Sequence, residues 1–135
     1  MVRILIVEDD PNLREGFAAE LSRAGHCVET ACDAAEAMAA LGKGAPDILV
    51  LDLRLGHARG LEIARAAERQ GGQTRLVLVA GTFDLTRSEL FGLSPAVAAV
   101  LRKPVDLESL VAEVAALTPA APPAMADQEA MRPAG

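Results

Sequence analysis

Five short apolar runs punctuate this chain of 135 residues: RILIV at 3–7, HCVETA at 26–31, DILVL at 47–51, RLVLV at 75–79 and VAAVL at 97–101. Helical patterns fill the gaps between them. This alternation constrains the fold more than any other feature. Strands joined through helices run parallel, and aliphatic runs with almost no polar alternation must be covered on both faces. The expected architecture is an α/β domain, (βα) repeated five times into a doubly wound five-stranded parallel sheet.

Helix boundaries support that reading. Asp10-Pro11 gives an N-cap and first-turn proline ahead of Leu13, Phe17, Leu21 and Ala24, and Gly25 stops that helix. Asp33, with Glu36 three residues on, resembles a capping box before Ala37, Met38 and Leu41, and Gly42 and Gly44 form a stop. GLEIARAAERQGG predicts a third helix, TRSELFGL a short fourth, and Asp106 caps DLESLVAEVAAL as the fifth. From Thr118 the sequence TPAAPPAMADQEAMRPAG loses periodicity, so the expected organisation is one domain over 1–117 and a flexible Pro/Ala-rich tail over 118–135.

Composition excludes several classes of function. No apolar run approaches the eighteen or so residues that span a bilayer, and the N-terminus MVRILIVEDD has no signal-peptide core, so no membrane association and a cytoplasmic location are expected. Net charge is −6 with Lys and Arg dispersed, which argues against DNA binding. Cys27 and Cys32 lack metal-ligand spacing and read as buried free thiols.

In open α/β sheets ligands bind beyond the carboxyl ends of the strands. Strand one is followed by Glu8-Asp9-Asp10, strand three by Asp52, strand four by Ala80-Gly81-Thr82 and strand five by Arg102-Lys103-Pro104. Carboxylates about 5 Å apart repel by about 3 kcal/mol per pair at an effective dielectric near 20, which forces protonation or recruits a cation. Oxygen ligands with open coordination positions favour Mg²⁺. The ammonium of Lys103 could neutralise part of the cluster and contact a phosphoryl oxygen. Taken singly, Asp52 could be a solvated strand terminus and Lys103 a surface charge; the combination in register is what points to a site. His57, in a Gly-flanked stretch, reads as a solvated loop residue, and Thr86 and Ser88 as an exposed helix start.

ILIVEDD at 4–10, LVLDLRL at 49–55 with Gly60-Leu61 following, and RKPV at 102–105 resemble the receiver domain of two-component response regulators, over residues 2 to 117. The resemblance implies a flavodoxin-like receiver fold of the stand-alone, single-domain type. It implies Asp52 as phosphoacceptor, taking a phosphoryl group from a phosphohistidine to form an acyl phosphate. Glu8, Asp9, Asp52 and the backbone carbonyl of Arg54 would hold Mg²⁺. Lys103 would bind the phosphoryl group, through a family position whose peptide bond to proline, here Pro104, is commonly cis. Asp10 matches an often acidic position, but capping the first helix is its preferred role.

Against that pattern, the hydroxyl residue usual at the end of strand four is Ala80, and the usual aromatic three residues before the lysine is Val100. Both switch positions therefore lack their usual groups. Thr82 has the side-chain parity of Ala80 and is a candidate to supply a hydroxyl to the phosphate, while Ala80 and Gly81 are small enough for backbone N–H groups to approach an anion. Gly56 replaces the usual proline after strand three. The implied function is a phosphorelay receiver partnered by a sensor histidine kinase or histidine phosphotransferase and a downstream protein target, met through the exposed face of the fourth and fifth helices. It is not an enzyme beyond self-catalysed phosphotransfer and autodephosphorylation. The alternative is a degenerate receiver acting as a constitutive docking module or phosphate sink. A phosphohydrolase would need a second Asp where Arg54 stands, and a cobalamin- or flavin-binding module would need a ligating His or a phosphate-cradling loop that the chain lacks.

Overall fold

The computed structural model describes residues 2–53, 57–70, 73–81 and 85–118. Five strands, β1 (Arg3–Val7), β2 (Cys27–Ala31), β3 (Ile48–Asp52), β4 (Arg75–Ala80) and β5 (Val97–Arg102), alternate with five helices, α1 (Pro11–Arg23), α2 (Ala34–Leu41), α3 (His57–Arg69), α4 (Arg87–Phe91) and α5 (Leu107–Leu117). The sheet is parallel throughout, in the order β2-β1-β3-β4-β5. Chain order reverses between β1 and β3. Helices leaving those two strands cover opposite faces, so a crevice opens between the strand ends.

Strand alternation feeds two cores. Leu5, Val7, Leu49, Leu51, Leu76, Leu78 and Ala80 pack with α2, α3 and Leu90 of α4 on one face. Ile4, Ile6, Ile48, Val50, Val77 and Val79 pack with Phe17 and Leu21 of α1 and Leu110 and Val114 of α5 on the other. The central β3 is buried at every position, whereas β2, at the edge, is buried only at Ala31. Cys27, on β2, is exposed and Cys32, just past its end, half-buried; both are free thiols, but the expected burial is wrong because β2 has a neighbour on one side only.

Local chemistry sets the helix ends. The Asp10 carboxylate accepts from the N–H groups of Asn12 and Leu13, at 2.9 and 3.4 Å, which is the capping role preferred for it. Gly25 follows α1 with φ 100°, a conformation that L side chains rarely adopt. Asp33 caps α2 through the Glu36 N–H at 2.8 Å, but Glu36 reaches back to the N–H of Cys32, one residue short of the expected reciprocal box. The reciprocal box instead starts α4: Glu89 N–H donates to Thr86 Oγ1 at 3.1 Å, and Thr86 N–H to Glu89 Oε1 at 2.9 Å. Thr86 and Ser88 are exposed, as expected.

The third helix begins at His57, earlier than the run from Gly60 suggests, so His57 belongs to a helix start rather than a loop. Gly60 weakens the helical signal there, but it sits where space is tight: a Cβ would lie 3.0 Å from Leu53 Cδ2, so that side chain would have to give way by a few tenths of an ångström. In β5 the pairing with β4 shifts by one residue between Leu76 and Val77, which sets Val100 opposite Leu78 and Arg102 opposite Ala80. Thr118 closes α5, and the remainder of the expected tail, 119–135, lies outside the described residues, as do Arg54, Gly56 and Thr82.

Candidate functional site

The crevice collects the groups that follow the strands. Register places Val7 beside Leu51, so Glu8 and Asp52 emerge side by side, and β4 runs past Asp52 at Val79. Glu8 is fixed from three directions. Its N–H donates to the carbonyl of Ala31 at 3.0 Å, its own carbonyl accepts from Arg14 Nη1 at 3.0 Å, and its Oε2 accepts from the Asp10 N–H at 3.1 Å. Arg14 is a part of the site that sequence reasoning missed; its signal was only its place one helical turn past the N-cap.

Glu8 and Asp52 are fully buried while Asp9 is exposed, and one oxygen from each lies within 4.8 Å of the other two. Lys103 donates to Asp52 Oδ2 at 3.0 Å, with its ammonium 3.9 Å from Glu8 Oε1. That Glu8 oxygen is buried without a hydrogen-bond donor among the described residues. Burial, the most important cause, then the shared hydrogen bond and the charge of Asp52, push the Glu8 carboxyl up to about 8. The Asp10 N–H and the Lys103 ammonium oppose that rise without cancelling it. A buried acceptor lacking a donor, beside two further carboxylates, fits a bound cation.

Among the residues expected at the site, Glu8, Asp9, Asp52 and Lys103 converge. Ala80 is fully buried in the apolar cluster beneath, and half-buried Val100 packs against that same cluster. The Ala80 carbonyl accepts from the Lys103 N–H at 2.8 Å, and the Lys103–Pro104 peptide bond is cis. The metal-ligand role of the Arg54 carbonyl and the hydroxyl role of Thr82 fall outside the described residues.

The family model for the response regulator receiver domain matches residues 4–115. This chain belongs to that family. Response regulator MprA of Mycobacterium ulcerans is 38% identical over 116 residues, a match covering 86% of this chain and 50% of the relative. The chain thus spans about half the length of the curated relatives it matches. Among solved structures, response regulator protein TrrA from Thermotoga maritima, in complex with Mg(2+)-BeF, is 30% identical with a TM-score of 0.72, covering 87% of this chain and 100% of that one. Vibrio cholerae chemotaxis protein CheY4 is 26% identical with a TM-score of 0.74, covering 87% of this chain and 99% of that one. The five-stranded parallel sheet of the receiver is thus shared with these proteins.

Proposed function

We propose that this receiver accepts a phosphoryl group on Asp52 from the phosphohistidine of a sensor kinase or a histidine phosphotransferase. The observation that carries the reading is the Asp52 carboxylate itself, buried, 3.0 Å from the Lys103 ammonium and within 4.8 Å of two other carboxylates. An Asp52 oxygen attacks phosphorus, the phosphorus–nitrogen bond to the donor imidazole breaks, and an acyl phosphate forms. Glu8, Asp9 and Asp52 would hold Mg²⁺, with the Arg54 carbonyl as a further ligand. The ion supplies charge neutralisation for the transferring oxygens. Lys103 binds the phosphoryl oxygens, and the small residues Ala80 and Gly81 leave room for them, with Thr82 a further donor. That TrrA, 30% identical, was crystallised in complex with Mg(2+)-BeF supports the same chemistry in this pocket.

The signal is passed by contact with a protein target rather than by turnover, and the net charge of −6 favours protein over DNA as the receiver's own partner. The side chains of Ala80 and Val100 contribute no polar atom to a switch, so phosphorylation must bias another element, the end of β4 and α4. The function belongs in the cytoplasm, where kinase and Mg²⁺ are met. Residues 118–135 are assigned no part in the phosphoryl chemistry.

Incubation of the native chain and Asp52→Asn with acetyl phosphate and Mg²⁺, followed by mass measurement, tests the reading. One phosphoryl group is expected on the native chain and none on the variant. No adduct with any donor would overturn it in favour of a constitutive docking module.

A further inference from the structure

Ala80 and Val100 leave open how an event at Asp52 reaches α4. The end of β5 offers a connection. Opposite Ala80, Arg102 extends its guanidinium to two backbone carbonyls, donating through Nη1 to Gly81 at 3.0 Å and through Nη2 to Leu85. Gly81 is the first residue beyond β4, and Leu85 immediately precedes Thr86, the N-cap of α4. The next residue, Lys103, donates its backbone N–H to Ala80 and its ammonium to Asp52. Two adjacent side chains at the end of one edge strand therefore hold the phosphoacceptor and the approach to α4.

We propose that Arg102 is a positioning residue that couples the phosphate pocket to α4, its guanidinium fork holding Gly81 and Leu85 in the unphosphorylated receiver and releasing them when Asp52 is modified. The inference rests on the reading of Asp52 as phosphoacceptor and names the part that transmits its state. A planar fork suits this task because both carbonyls must lie near one plane to be held together, and a small displacement breaks the pair. The displacement has a source. A phosphoryl group on Asp52 draws the Lys103 ammonium from Asp52 Oδ2 to the phosphoryl oxygens, and the adjoining backbone carries that motion to Arg102. The one-residue shift between Leu76 and Val77 matters here, since it is what sets Arg102 rather than Leu101 opposite Ala80. With α4 only five residues long, its placement depends on its ends.

The test compares ¹⁵N spectra of the native chain, Arg102→Met and Arg102→Lys, each in Mg²⁺ with and without beryllofluoride. In Arg102→Met without beryllofluoride, the amides of Arg87 to Phe91 are expected to lie displaced toward their positions in the beryllofluoride-bound native chain. Their hydrogen exchange should be about tenfold faster, the loss of about one charge-assisted hydrogen bond. Beryllofluoride should then add a smaller shift in Arg102→Met than in the native chain, and Arg102→Lys, able to hold one carbonyl, should fall between them. Should Arg102→Met fail to fold, Arg102→Lys carries the comparison. Arg102 variants whose α4 amides match the native chain in both states would overturn the coupling. A native chain that binds no beryllofluoride and takes no phosphoryl group would overturn the Asp52 reading instead.

Discussion

Lys103 faces two demands of opposite sign. Its ammonium, 3.0 Å from Asp52 Oδ2, neutralises a carboxylate that must attack an anionic phosphoryl group, yet it also repels any cation drawn to the same carboxylates. Lys103→Met separates the two effects. Phosphoryl uptake should slow by at least about tenfold, since a charge-assisted contact to the transferring group is lost. Mg²⁺ affinity should instead rise several-fold. Titration of Mg²⁺ followed by timed mass measurement of the adduct reads both, and a variant in which both weaken would indicate that Lys103 only supports the fold. The three consecutive acids show how far residue type determines role. Glu8 points inward and is buried, Asp9 is exposed at the mouth, and Asp10 caps α1. Their grouping after a strand is legible in the sequence; the Glu8 oxygen that lacks a hydrogen-bond donor among the described residues is not, because it depends on what β2, β3 and α1 bring around it.

Elements differ in what secures them. β3 is buried throughout, while α4 relies on Leu90 for burial and on the reciprocal Thr86 and Glu89 bonds for its start. The Glu89 carboxylate is held below the ordinary carboxylate range by the hydrogen bond it accepts from the Thr86 backbone N–H and, next, by its hydrogen bond with the Thr86 side chain. Thr86→Ala should cost about 1 kcal/mol, felt locally. Hydrogen exchange at Ser88 to Phe91 should quicken while the global unfolding midpoint barely moves; a lowered midpoint with unchanged local exchange would contradict a local role for the box. Unlike Arg102→Met, this variant should leave the remaining beryllofluoride response of α4 in place. A capping pair made α2 legible in the sequence, whereas α4 was read only from the run TRSELFGL with Thr86 and Ser88 at its start; which Glu closes a box depends on backbone direction before the cap. Glu36 meets Cys32 and Glu89 meets Thr86, a difference that residue spacing cannot express.

At the scale of the whole molecule, alternation of aliphatic strands with capped helices carries the topology, since parallel strands covered on both faces admit few arrangements. The register shift in β5 and the fork of Arg102 were not legible, because they arise from the fit of one edge strand against its neighbour. The crevice this topology creates makes the stability of the molecule depend on pH and Mg²⁺ together. Glu8 is raised from an ordinary 4.5 to about 8, so between those values the folded chain binds more protons at this site than the unfolded chain. The Glu8 contribution is therefore most favourable below about 4.5, declines as pH rises to about 8, and is level above that. Mg²⁺ must displace the Glu8 proton, so its affinity should climb by up to about tenfold per pH unit as pH rises toward 8. Added Mg²⁺ should thus raise the urea midpoint more at pH 8.5 than at pH 6, by about RT ln(1 + [Mg²⁺]/Kd) divided by the denaturant slope. Glu8→Gln isolates the group: its loss should remove most of the pH dependence of the Mg²⁺ effect while weakening the effect itself. Urea titrations at both pH values, with and without Mg²⁺, make the measurement, and an equal Mg²⁺ increment at the two pH values in the native chain would show that Glu8 does not hold the displaced proton.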